Sequence, residues 1–243
     1  MNIKELKKEI ERRKTQSMDF FRPKNGDIVR VVATLNDEGN GLDYKIRVVE
    51  KHILDGLLDI PCKGEDCIIC KKREEIRVSI QNWTDEIKAV IKSLYPKEER
   101  YILLYVVNSQ NQESNGKTYW FRANKEIFNS IVNLIITSEN DGVDLRGIDL
   151  TINTQQQKIN NKLFEVPKSV SPSMKEKKLA AFDKVISEYT DEKYPLSFQT
   201  VEDSDIKSIL DRWITNQMYA KTQTYQEDTT GSIVNRLNTL LKE

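Results

Sequence analysis

The chain holds one histidine and three cysteines, and all four fall within nineteen positions: His52, Cys62, Cys67 and Cys70. Among 243 residues this grouping constrains the local fold more than any other feature, because soft donors brought together can close a segment around a metal ion. The spacing reads H-x9-C-x4-C-x2-C. Cys67-Ile68-Ile69-Cys70 is a CxxC knuckle, in which two thiolates across a tight turn can grip one ion. Three Cys and one His form a donor set for tetrahedral structural zinc, with no second His to build an open catalytic site. Three other readings stand beside it. A disulfide would leave one Cys odd. A thioredoxin-like redox pair needs a βαβ context that the flanking segments do not suggest. Three buried, inert thiols and an incidental His would need no ligand. Gly64 suits the turn after Cys62, and Lys63, Lys71, Lys72 and Arg73 would partly offset three thiolate charges. Residues 52–73 are too polar to bury a core of their own, so a metal would fold them.

Lys and Arg total 38, against 38 Asp and Glu, and 31% of residues are charged. No run of about 18 apolar residues is present, so no membrane partner is expected. MNIKELKKEIERRK carries charge where a signal peptide needs an apolar stretch, which points to a cytoplasmic protein. Zero net charge does not exclude nucleic acid, because the charge is unevenly spread. Through Arg30 there are nine basic and five acidic residues, whereas residues 201–243 hold five and seven.

Residues 2–17 read as an amphipathic helix with Ile3, Leu6 and Ile10 on one side, a basic arm. The turn at Asn25-Gly26-Asp27 opens a strand at 28–35, which forms a hairpin with a strand at 44–54. Helical spacing marks 83–95 and, after an Asn124 cap, 124–137. Strands are expected at 101–107 (YILLYVV) and 117–123 (KTYWFRA), with short ones at 148–152 and 163–166. Helices are expected at 174–189, 205–219 and 232–241. The fold class is α+β: an OB-like Greek-key β-barrel with an inserted zinc subdomain and a helical C-terminal region. The divisions are a basic N-terminal arm at 1–17, a core at 18–170 with its zinc loop at 52–73, and a helical region at 171–243.

Basic and aromatic residues share the strands. The first hairpin offers Arg22, Lys24, Arg30, Lys45, Arg47 and Lys51. The second offers Tyr105, Lys117, Tyr119, Trp120 and Arg122. Alternation places Lys45, Arg47 and Val49 on one face. An outer face of this kind suits single-stranded nucleic acid, with cations on phosphates and rings stacking bases at about 1–3 kcal/mol each. Binding of that kind weakens steeply with salt. No phosphate loop, GxSxG or GxGxxG occurs, so no enzyme is expected.

FFRPKNGDIVRVV (20–32), a following His, and PCKGEDCIIC (61–70) resemble the single-stranded DNA-binding proteins of T-even-type bacteriophages. YILLYVV, RGIDLTI and a strand near FEVP look like that family's later barrel strands. The resemblance implies an OB fold carrying one structural Zn²⁺ on His52, Cys62, Cys67 and Cys70. It also implies single-stranded DNA as partner, cooperative self-association through residues 1–17, and phage replication proteins as further partners in an infected bacterial cytoplasm. The chain departs from the family in a shorter His52–Cys62 spacing and in lacking an acidic disordered tail. The alternative implied function is a zinc-stabilised phage transcription cofactor or polymerase-interacting subunit.

Overall fold

In a computed structural model, which describes residues 20–54, 58–79, 84–159, 161–196, 198 and 202–222, the apolar run at 101–107 is the middle of an antiparallel sheet. The strands are β1 (Asp27–Val31), β2 (Ala33–Leu35), β3 (Leu42–Tyr44), β4 (Ile46–Leu54), β5 (Leu58–Pro61), β6 (Lys97–Asn108), β7 (Thr118–Ala123), β8 (Ile148–Ile159) and β9 (Lys162–Glu176). The helices are α1 (Ile68–Ser79), α2 (Asp85–Ser93), α3 (Lys125–Asn140), α4 (Ala180–Ser187) and α5 (Asp203–Thr222). The strand order is β5-β4-β6-β1-β8-β9, with β7 on β6 and β2–β3 as a separate pair. The class is therefore mixed α+β. The basic arm at 1–17, Trp83 and the helix expected at 232–241 lie outside the described residues.

The chain divides into two compact units, Met1–Val48 with Glu99–Ser197, and Val49–Glu98 with Phe198–Glu243. In the first, Val29 and Val31 of β1, Ile102, Leu104 and Val106 of β6, and Leu150 and Ile152 of β8 are fully buried. Helix α3 covers them with Ile127, Ile131 and Ile135, one side chain per turn. Asn124 caps it, its Oδ1 accepting the Ile127 N–H at 2.9 Å, while its Nδ2 donates to the Pro167 carbonyl at 2.8 Å.

Three expectations about this unit are corrected. The first strand ends at Val31, and Lys45 falls between β3 and β4. Its N–H donates to the Val32 carbonyl and its own carbonyl accepts from Leu103 N–H, both at 2.9 Å, so the expected alternation breaks there. The short strands at 148–152 and 163–166 are parts of one long hairpin, β8–β9, whose last pair is Ile159↔Lys162, with Asn161 at φ 63°. The helix expected at 174–189 is confined to α4, because residues up to Glu176 belong to β9. The boundary drawn at 170 thus falls inside a strand. Pro167 and Pro172 are tolerated in β9 because it is the last strand in the order, and an edge can spare ladder donors.

The second unit packs the β4–β5 hairpin with α1, α2 and α5. Its core joins Ile60, Ile69, Ile76, Ile87, Val90, Ile91 and Leu94 to Ile206, Leu210, Trp213 and Ile214. The Thr84 hydroxyl caps α2 by accepting from Ile87 N–H at 3.4 Å. The expected C-terminal helical region is therefore not one region: α4 belongs to the first unit, and α5 completes the core of the second. No helix among the described residues is long and apolar enough to cross a membrane.

Candidate metal centre and basic-aromatic surface

His52 sits near the end of β4, opposite Ile60 of β5, and is fully buried. Cys62 follows β5, its N–H donating to the Glu50 carbonyl at 2.8 Å, which extends the hairpin ladder by one bond. Gly64, at φ 63°, turns the chain into a 3-10 turn (Gly64–Asp66) that delivers Cys67. Cys70 lies in the first turn of α1. The expected loop at 52–73 is thus a strand, a turn and the start of a helix.

These elements bring the four donor atoms within 4.8 Å of one another. His52 Nε2 is 3.2 Å from Cys67 Sγ and 3.5 Å from Cys70 Sγ, and Cys62 Sγ is 3.7 Å from Cys70 Sγ. A tetrahedron with ordinary Zn–S and Zn–N bonds has S–S edges of about 3.8 Å and S–N edges of about 3.6 Å. His52 Nδ1 lies 3.0 Å from the Leu94 carbonyl, which can only accept, so Nδ1 carries a proton and Nε2 is the nitrogen that faces the sulfurs. Burial raises Cys67, but hydrogen bonding from His52 and the backbone outweighs it and brings the thiol down to about 6. Burial and the neighbouring Cys62 push Cys70 up to about 12, and burial also raises Cys62. One sulfur carries charge readily and its neighbours resist it, the conflict that a divalent cation resolves.

The group could hold a metal ion such as zinc. All three cysteines are free, and the knuckle follows an antiparallel hairpin rather than a βαβ unit. The expected cationic surround is otherwise engaged. Lys63 pairs with Asp203 at 2.8 Å, Lys71 with Asp66 at 3.5 Å and Lys72 with Glu75 at 3.1 Å, while Arg73 lies over the Tyr95 ring at 4.2 Å.

The residues expected on an outer binding face separate into two groups. Arg30, Lys45, Lys51, Tyr105 and Trp120 are buried, which corrects their placement on an exposed face. Arg30 Nε donates to Asp149 Oδ1 at 2.7 Å, and the Phe182 ring lies over its guanidinium at 5.5 Å. Phe182 also packs on Tyr105 at 5.3 Å. Trp120 Nε1 donates to the Tyr194 carbonyl at 3.2 Å. Lys45 pairs with Asp43 beneath the Tyr189 ring, and Lys51 lies 5.1 Å from the Phe198 ring. A cation survives burial only with such partners. Phe182, Tyr189 and Tyr194, which lie in or just after the helix expected at 174–189, are among them.

Arg22, Lys24, Arg47, Lys117 and Arg122 are exposed and Tyr119 is half-buried. Phe21 N–H donates to the Trp120 carbonyl at 2.9 Å, and its ring stacks on Tyr119 at 6.3 Å. This lays residues 20–22 along β7, with Phe21 and Tyr119 on the core face, Arg122 opposite Tyr101 on the other face, and Lys117 at the strand's start. Arg122 pairs with Glu99. Arg47 turns back to the Ile46 carbonyl at 3.0 Å, and Lys24 reaches Glu165 of β9 at 3.7 Å. Phe20, an aromatic that the sequence places with the first hairpin's cations, is half-buried beside the Tyr101 ring at 5.6 Å. Its pairing 81 positions along the chain leaves no local signal. No known protein family matches the chain, and no curated protein does.

Proposed function

We propose that the chain binds single-stranded DNA without a catalytic step, along β7 of an OB-like sheet, and that one structural Zn²⁺ organises its second unit. The observation carrying this reading is the alignment of residues 20–22 on β7, which sets the half-buried Phe20 ring beside Tyr101, the cross-strand neighbour of exposed Arg122, with exposed Arg22 next in the segment and exposed Lys117 at the start of the strand. Exposed cations along this segment neutralise phosphates, and the Phe20 ring among them stacks a base. The resemblance of residues 20–32 and of the His-Cys₃ set to the T-even-type family supports the same reading. On that resemblance the protein coats strands during phage replication, recombination or repair in the infected cytoplasm, with other copies of itself as neighbours.

A second reading, a polymerase-interacting or transcription subunit, is favoured by one observation. Lysines near the metal group, Lys63, Lys71 and Lys72, are paired with carboxylates, so that surface suits protein better than phosphate.

Titration with poly-dT at two salt concentrations tests the first reading. Wild type should bind at low salt, and Arg22→Ala with Lys117→Ala should flatten the log–log salt slope by about 1.4 for two lost phosphate contacts. Absence of binding at low salt overturns the reading, and an unchanged slope moves the interface away from β7.

A further inference from the structure

Beyond β1, the hairpin β8–β9 continues with no third strand among the described residues. β1 pairs with β8 only at Leu150, Thr151 and Ile152. The base of the continuation is held by Thr154 N–H donating to Asn25 Oδ1 at 3.0 Å and by Lys24 reaching Glu165. Five cross-strand pairs follow, from Gln155↔Val166 to Ile159↔Lys162. At roughly 3.4 Å per residue they project about 17 Å. A two-stranded ribbon with both edges open adds little stability and invites mispairing. Its retention calls for a function.

Alternation and register place Gln155, Gln157, Lys162 and Phe164 on one face, with half-buried Val166. Phe164 is 47% exposed. Lys158 and Lys162 have no ion-pair partner among the described residues. Glu165 is on the opposite face and turned to Lys24. This face thus holds a ring, an ammonium and two amides, and no carboxylate opposes them.

We propose that this hairpin is an arm that extends the single-stranded DNA contact, joined to β7 through the exposed residues Arg22 and Lys24. Phe164 stacks on an unpaired base, Lys162 takes a phosphate, and the amides of Gln155 and Gln157 meet base edges. Stacking on a lone exposed ring requires a base free of its partner strand, so the ligand is single-stranded rather than duplex. The inference rests on the reading of β7 as a DNA-binding strand.

The full chain carrying Phe164→Ala with Lys162→Ala tests it, with oligo-dT of about 5 and about 16 nucleotides as probes. Both positions are exposed, so the thermal midpoint should hold. The expected result is a loss of affinity of about five-fold or more for the longer strand, with the shorter unchanged and Phe164→Trp restoring the longer. Equal affinity of variant and wild type for the longer strand overturns the arm and leaves the β7 reading standing. Failure of wild type to bind either strand overturns both. A variant that loses self-association by light scattering, with its DNA affinity intact, makes the arm a contact between copies and overturns the proposal.

Discussion

Asp144 shows how one side chain here serves backbone and charge together. It caps the 3-10 turn at Leu145–Gly147, accepting the Arg146 N–H at 2.9 Å, and its carboxylate receives the Arg146 guanidinium at 2.6 Å. Burial alone would raise this carboxyl, but the hydrogen bonds from Arg146 outweigh it and hold the group below the ordinary range. A folded-state value below the unfolded one adds stability that is complete above about pH 3.9 and is lost as pH falls through the folded value. Asp144→Asn should therefore be less stable at pH 7 and lose less on acidification. Denaturant midpoints at pH 7 and pH 3 check this, and a parallel acid loss in variant and wild type contradicts it. The charge of Arg30 was legible in the sequence. Its partner Asp149, 119 positions away, was not, which is why a buried ion pair reads from sequence as a surface cation.

At the scale of elements, strong apolar periodicity was readable: α3 with its Asn124 cap, β6 and β7 all lie close to their expected positions. The second half of the β8–β9 hairpin was not, because both faces are wet and an exposed strand has no apolar alternation to betray it. Helix α4 is the opposite case. At eight residues it is too short to stand alone, and Phe182 is its one buried side chain. Phe182→Ala should cost about 3–5 kcal/mol locally and release α4 from Arg30 and Tyr105. Tryptic cleavage at Lys177, Lys178, Lys184 and Lys193 should accelerate relative to wild type. A cleavage pattern identical to wild type would show that other contacts hold the segment.

For the whole molecule, the His-Cys₃ spacing was legible because its donors are close in sequence, whereas the division into units was not, because each unit is built from separated stretches. α5 reaches the unit with the His-Cys₃ group from more than a hundred residues beyond Cys70 and buries Trp213 there. Two units with separate cores should melt in two transitions. A chelator, or Cys67→Ser, should lower one transition by well over 10 °C, given roughly 10–16 kcal/mol of apparent metal-coupled folding energy. Trp213 emission should report the same change, and Trp213→Phe should lose that response; a single transition insensitive to chelator would refute a structural metal. The same interleaving has a consequence for synthesis on the ribosome. Cys70 emerges on the order of ten seconds before Ile206 and Trp213 are translated. For that interval the thiols lack their last packing partner, and a metal ion held by them would steady the nascent segment until the closing helix arrives.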